Sequence, residues 1–298
     1  MIQTPGAGAA LLSEAAGFYS REEVVVAAGQ NLAANAVIGQ VTATATTVVA
    51  AAGNTGNGTV GTITLQAGVR EGTYKVVFIE AAANAGKYEL RRPDGTLVGV
   101  GTVGGAFAAG ELAFTIADGS TDFAAGDSFD IIVHASSVVA VAGNTGNGTV
   151  TLLGTSPGAT PGVYKLRCTA AATNGGTFSV EDPKGVALGS ATVGTTWNGE
   201  IAFRINDGSA DFAVGDGFDV TVTRGQVAAW NPLGTNGTAQ AYGVLWDAVD
   251  ATAAAAAGAA VVRDAEIRIA ALSWLAGMSE ANKAVGVAQL AKRGLLGR

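Results

Sequence analysis

The string Ala52-Gly53-Asn54-Thr55-Gly56-Asn57-Gly58-Thr59-Val60 recurs as Ala142-Gly143-Asn144-Thr145-Gly146-Asn147-Gly148-Thr149-Val150, an offset of 90. Tyr74-Lys75 matches Tyr164-Lys165, and Thr102-Val103-Gly104 matches Thr192-Val193-Gly194, at the same spacing. From Glu111-Leu112-Ala113-Phe114 onward the partner is Glu200-Ile201-Ala202-Phe203 at an offset of 89, so one residue has been lost. Over Glu111 to Val133, 15 of 23 positions are identical. A repeat of this length and fidelity marks a duplicated domain.

Each copy reads as β. Thr73-Tyr74-Lys75-Val76-Val77-Phe78-Ile79 and Lys87-Tyr88-Glu89-Leu90 carry β-branched and aromatic residues with partial two-residue alternation. Pro93-Asp94-Gly95 and Pro183-Lys184-Gly185 are turn tripeptides. Turn signals every 8–12 residues or so in a unit of about 90 residues fit an immunoglobulin-like β-sandwich. The disulfide and tyrosine-corner hallmarks of antibody domains are absent from this reading, so the term names an architecture only. Phe114, Phe123 and Phe129, with their copies Phe203, Phe212 and Phe218, are expected in the sandwich cores.

Outside the repeats the pattern changes. Glu23–Ala27 and Ala36–Thr42 read as strands before them. Gln226–Trp230, Ala241–Trp246 and Ala260–Ile267 read as strands after them, with a turn at Asn231-Pro232-Leu233-Gly234. Only the C-terminus looks helical. Ser279 can cap it, Ala281, Ala284, Val285, Ala288 and Ala291 form an apolar stripe, and Gly294 can end it. Neither flank alone closes a core. Together they hold about 120 residues, a normal small domain. The expected organisation is a discontinuous α+β or β-barrel-like host over 1–47 and 224–298, with sandwich domains at 48–135 and 136–223. The whole chain is mainly β.

Composition limits the function classes. The 298 residues include 14 % charged and 48 % hydrophobic side chains, enough to bury real cores. The net charge is −7 and the 17 Lys and Arg are scattered, which argues against nucleic-acid binding. The single cysteine, Cys168, excludes an internal disulfide and reads as a half-buried structural thiol in a strand, consistent with assembly in a reducing host cytoplasm. The start carries no secretory pattern, and the apolar run from Ala251 to Val262 is too short to span a membrane.

At the flanks the residues resemble the lambda-like phage head decoration family. The resemblance is carried by Leu12-Ser13-Glu14-Ala15, by Tyr19 to Gln30 and Val37 to Thr42, and by Ala241-Tyr242-Gly243-Val244-Leu245-Trp246 through Thr252. Val261 to Ile267, Leu272 to Met278 and the last helix complete it. It covers about 120 residues, on both sides of an insert that short family members lack. It implies a homotrimer that caps three-fold positions of the expanded capsid, binds the major capsid protein and stabilises the head. The repeats would then be displayed on the outer surface of the virion. Residues 1–17 lack a core pattern and are expected to form an arm that orders on the capsid by adding to a sheet edge, through Thr4, Pro5, Leu11, Leu12, Ser13 and Glu14. A frayed terminus is the other reading of that segment. Trp230, Trp246 and Trp274 are expected in the host core or at the trimer seam.

Little else carries chemistry. His134 is the only histidine and sits at the junction of the repeats, where it reads as a linker residue rather than a catalytic base. No zinc, Walker or Rossmann pattern is present, no cofactor is expected, and the chain is not read as an enzyme. Asp118, Asp122 and Asp127, repeated as Asp207, Asp211 and Asp216, place three carboxylates within ten residues. They fit turn chemistry or, with backbone help, calcium. Trp197 has no counterpart in the first repeat by this alignment and reads as a loop residue, either packed or free to stack on a sugar. Two further readings stand beside the capsid one: an adhesin or carbohydrate-binding protein that contacts cell-surface glycans, and a tail or baseplate component.

Overall fold

The computed structural model describes residues 6–298. Strands take up 48 % of the chain and helices 6 %, so the fold is mainly β. Contacts divide the chain into two compact units, one of residues 1–42, 66–69 and 225–298 and the other of residues 43–65 and 70–224.

The first unit is built on a closed five-stranded barrel. Its strands run in the order Arg21–Val26, Val227–Ala229, Val37–Gln40, Ala241–Leu245 and Ala256–Val261. Val24 and Val26 point inward from a run in which Val25 points out, the alternation expected of a half-buried strand. The barrel joins the two ends of the chain directly. Val26 pairs in parallel with Val227, and Arg21–Val26 pair antiparallel with residues 256–261. Gly39 is required where the next turn presses on the strand, since a Cβ there would lie 2.5 Å from the Thr238 carbonyl oxygen. Val24, Val26, Ile38, Val227, Leu245 and Val262 fill one core.

A second core lies between barrel and helix and includes Trp230, Ile267, Leu272, Leu290 and Leu295. The helix spans Glu280–Ala291. The Ser279 hydroxyl accepts the Asn282 N–H at its start, and Gly294 takes φ +83° just beyond its end. Its buried face, however, is not the alanine stripe. Gly286 and Leu290 are buried, whereas Ala281, Ala284, Val285, Ala288 and Ala291 face outward. The physical reason is a close approach at Gly286, where a Cβ would meet the Trp274 ring at 2.7 Å. Alanine spacing alone does not report which face a helix buries.

Two further differences from the sequence reading concern this unit. The run Ala260–Ile267 is two strands, Ala256–Val261 and Ala265–Ile267, separated by Asp264 at φ +45°. Residues 6–17, read as a coreless arm, are folded. Ala10 is 1 % exposed and belongs to the second core, and Leu11–Glu14 form a strand. The Asn35 side chain holds this segment, accepting the Ala10 N–H at 2.9 Å and donating to the Gly6 carbonyl at 3.0 Å. Thr4 and Pro5 lie outside the described residues.

The second unit contains the repeats, each a pair of sheets over its own core. In the first repeat a five-stranded sheet (Leu97–Thr102, Lys87–Arg91, Gly72–Glu80, Ser128–His134, Ala45–Ala50) faces a sheet built on Leu112–Ala117. The second repeat has the matching order Ser136–Ala140, Gly217–Val222, Gly162–Ala172, Gly175–Glu181 and Ala187–Thr192, facing Thr149–Thr155, Ile201–Asn206 and Thr196–Asn198. Strand Ala45–Ala50 pairs residue for residue with Phe129–His134, so a boundary between 47 and 48 would cut a strand. Phe114, Phe123, Phe129, Phe203, Phe212 and Phe218 are all buried, each contributing about 1.5–3 kcal/mol by removal from water. Cys168 is fully rather than half buried, and burial pushes its thiol pKa up.

The repeated Gly-Asn-Thr-Gly-Asn-Gly string is a lid on that core. A Cβ on Gly56 would sit 2.5 Å from the Phe123 ring, and one on Gly146 2.6 Å from Phe212. Asn54 both accepts the Ser128 N–H and donates to its carbonyl, each at 2.8 Å, and Asn144 does the same with Gly217. A tyrosine-corner geometry is also present in both copies, contrary to the sequence reading. The Tyr74 hydroxyl accepts the Arg70 N–H at 3.0 Å and donates to Glu111, and Tyr164 does so with Thr160 and Glu200.

Candidate interaction surfaces

In the first unit, Leu11–Glu14 is the edge strand of a three-stranded sheet whose order continues through Ala265–Ile267 to Leu295–Gly297. Leu11 pairs with Ile267 and Glu14 with Ala265, with a bulge between Leu11 and Ser13. Among the described residues, only one side of this strand is paired within the chain. An unpaired edge presents a row of backbone donors and acceptors to whatever lies beside it. Leu12 projects from it at 42 % exposure. Ser13 donates to Glu266 at 3.3 Å, and Glu14 accepts two bonds from Arg21, at 2.9 and 2.6 Å.

Arg21 is the organiser of this corner. Its guanidinium lies 3.7 Å from the Trp246 ring centre and 4.9 Å from that of Phe18. Phe18 has φ +60°, a conformation that costs a bulky residue roughly 1–3 kcal/mol. Phe18 is 66 % exposed and the adjacent Tyr19 71 %. The sequence reading gave this aromatic pair no surface role, because a 3-10 turn at Ala16–Phe18 leaves no periodic signal.

On the opposite edge of the sheet lies a cleft of about 710 Å³ between the helix, the 3-10 turn Ile269–Ala271 and the last strand. Ile269, Leu272, Trp274, Val287, Ala288 and Leu296 supply its apolar lining. Lys283 and Glu280, paired at 2.7 Å, mark one rim and Arg298 another. The outward alanine stripe is the sequence signal that leads here.

The three tryptophans of the first unit are core residues in this chain. Trp230 is buried, donates its Nε1–H to Ala239 and Gln289, and meets Trp274 edge-on at 5.5 Å. Trp246 and Trp274 are partly buried against the same cluster.

A family model for the bacteriophage lambda head decoration protein D matches two overlapping stretches, residues 1–96 and 59–295. The chain belongs to that family. Membership carries a structural role in the phage head and a place in the virion. No curated protein matches the head decoration chain. Among solved structures, it is similar to FlgL of Xanthomonas campestris, seen in two crystal forms, at 27 % identity over 33 % of this chain, with a TM-score of 0.25. It is also similar to the flagellar hook junction protein FlgK of Burkholderia pseudomallei, at 17 % identity over 67 % of this chain, with the same TM-score. The chain spans about a third of FlgL (32 % and 31 %) and 43 % of FlgK. Among the described residues, no helix is long and apolar enough to cross a membrane.

The remaining candidates resolve into structure. Asp127 accepts the N–H groups of Thr55, Gly56 and Ala124, and Asp216 those of Thr145, Gly146 and Ala213. Burial pushes these carboxyls up, but the three amides outweigh it and hold both pKa values below the ordinary range. Asp122 and Asp211 accept from Asn84 and Asn174 across neighbouring loops. Asp127 and Asp216 thereby act as loop clamps, each holding three backbone amides. Asp118 and Asp207 are half-buried. Among the described residues, no three His, Cys, Asp or Glu side chains gather as a metal site would require.

Trp197 is in a short strand, not a loop, and does have a counterpart. It pairs with Phe203 as Phe107 pairs with Phe114, and its ring packs over Gly189 as Phe107 packs over Gly99. His134 is buried at the end of a strand, bonded to Thr47 at 3.1 Å and to Ser136 at 2.9 Å, and burial lowers its pKa. It is part of a packed joint rather than a free linker.

Proposed function

We propose that this head decoration protein forms a homotrimer at three-fold positions of the expanded capsid and cements neighbouring major capsid subunits there. The observation that supports the reading is the strand Leu11–Glu14, whose outer edge is unpaired among the described residues, in a chain of a head decoration family. A capsid segment adding beside this strand would gain backbone hydrogen bonds without any polar constellation, as strand addition does elsewhere. Leu12 and the Phe18–Tyr19 pair supply apolar contact next to it.

Self-association falls to the outward helix stripe and its cleft. Small side chains allow close approach of a neighbouring subunit, and three copies of one face can close around an axis. Display of the repeats is supported by how the insert leaves the barrel. Gly225 N–H donates to Val41 at 3.0 Å and Val41 N–H to Gln226 at 2.8 Å, so entry and exit lie side by side.

Co-sedimentation with expanded capsids tests the reading. The full chain is expected to saturate one trimer per three-fold site, and Leu12→Asp to bind at least ten times more weakly with an unchanged melting temperature. Ala288→Arg is expected to leave the barrel folded but monomeric by mass photometry. No binding of the unaltered chain to expanded capsids would overturn the proposal; binding unaffected by Leu12→Asp would remove the strand from it.

A further inference from the structure

The duplication supplied two similar domains, and a duplicate brings no joint of its own. The residues at the junction of the repeats are therefore informative where the copies differ. Glu71 of the first repeat accepts a hydrogen bond from Arg224 Nε at 2.6 Å through one oxygen and from the Thr155 hydroxyl at 2.8 Å through the other. Arg224 also donates to the Pro157 carbonyl at 2.8 Å. The Glu71 and Arg224 side chains are both about four-fifths buried. Glu71 belongs to the first repeat, Thr155 and Pro157 to the second, and Arg224 to the end of the second.

None of these residues has an equivalent in the other copy. The repeat offset puts Pro161 at the place of Glu71, Leu65 at that of Thr155, Ala67 at that of Pro157 and Ala135 at that of Arg224. Close by, Gly68, Gly72 and Tyr74 match Gly158, Gly162 and Tyr164. The side chains that differ are those that face the other repeat, while those that build each core are kept.

The backbone at the junction is equally tied. Ala135 is buried, its carbonyl accepts the N–H groups of both Thr223 and Arg224, and Thr44 N–H donates to His134. His134 bridges Thr47 of the first repeat to Ser136 of the second. A flexible linker would leave these groups in water.

We propose that the two repeats move as one stiff body, locked by a clamp centred on Glu71 and Arg224, so that the far repeat is held at a fixed angle instead of swinging on a tether. A partly buried pair with both oxygens of the carboxylate engaged is geometrically exacting in a way that an exposed ion pair is not. The inference concerns only the repeats and stands whether or not the chain binds capsids.

Electron–electron distance measurements on the full chain test it, with spin labels at Ala108→Cys and Ser190→Cys, both exposed and one in each repeat. Cys168 is buried and is left in place. The unaltered clamp is expected to give a single narrow distance distribution. Glu71→Ala is expected to broaden it at least twofold, Arg224→Ala likewise, and the double variant no further than either, because both remove the same lock. Melting of each variant confirms that the cores remain folded; should an alanine variant fail to fold, Glu71→Gln, which keeps the side-chain size, replaces it. A broad distribution in the unaltered chain, or alanine variants as narrow as it, would overturn the proposal.

Discussion

Replacing Asp216 by alanine removes the acceptor for three backbone N–H groups, those of Thr145, Gly146 and Ala213, at 2.9, 2.8 and 3.0 Å. Asp216 is 6 % exposed, but the amides it holds belong to surface loops that water can reach once the carboxylate is gone. Each lost bond is therefore charged at about 1 kcal/mol, the ordinary net value, and not at the higher figure for a sealed ionic site. The expected loss is about 3 kcal/mol from the second repeat. Asp216→Asn keeps one oxygen and should lose about half as much. The pH dependence has a definite sign. The folded carboxyl has a pKa held below 3.8, so its contribution is complete above that value and disappears as pH falls through the folded pKa. Urea unfolding followed by hydrogen exchange across the second repeat gives its stability and reads the three amides directly. A loss under 0.5 kcal/mol, or a wild-type melting temperature raised by millimolar calcium, would refute the clamp assignment.

Three other outcomes follow from the same structure. Gly286→Ala should destabilise the first unit by about 1–2 kcal/mol, although alanine is the better helix former by about 1 kcal/mol, because the new Cβ meets Trp274 and overpacking costs more; a rise in melting temperature would contradict the packing. Acidification should weaken the joint of the repeats as pH falls below about 6.5, since His134 is held neutral by burial and the unfolded chain takes up the proton first; the drop between pH 7.5 and 5 should be missing in His134→Gln. Asn35→Ala should cost about 2–4 kcal/mol, by losing the bonds to Ala10 and Gly6 and by placing alanine at φ +61°, whereas Asn35→Gly should cost about half as much; equal melting temperatures for the two would separate the cost from the backbone.

The duplication was legible because identity at a constant offset does not depend on knowing the fold. The helix was legible at its ends, through Ser279 and Gly294, but not in its orientation. Alanine scores as apolar on either face, and the residue that decided the matter, Gly286, has no side chain to show periodicity. Strand Leu11–Glu14 was hidden for a related reason. It is four residues long, bulged, and its Leu-Leu-Ser-Glu order gives no alternation, so its place depends on residues 265–267 at the other end of the chain. The Trp197–Phe107 equivalence was obscured by the single deletion beside it. Placing that gap after Trp197 aligns the two at the offset of 90 that holds upstream.

Comparison of the two copies also separates what a sandwich needs from what its position demands. Tyr74–Glu111 and Tyr164–Glu200 are the same contact, kept in both repeats, and so belong to the fold. The surroundings differ. In the first repeat Arg92 binds Glu111 at 2.9 Å and Arg70 stands 3.7 Å away, while the second repeat has Asp182 and Thr160 at those positions. A tyrosine hydroxyl and an amide are thus sufficient partners for the carboxylate, and the arginines are an addition in one copy. The same reasoning applies at Glu71, where the first repeat has a carboxylate and the second a proline. Charged residues that appear in one copy alone have been free to take up tasks outside the core, and the clamp between the repeats is the place where two of them, Glu71 and Arg224, meet.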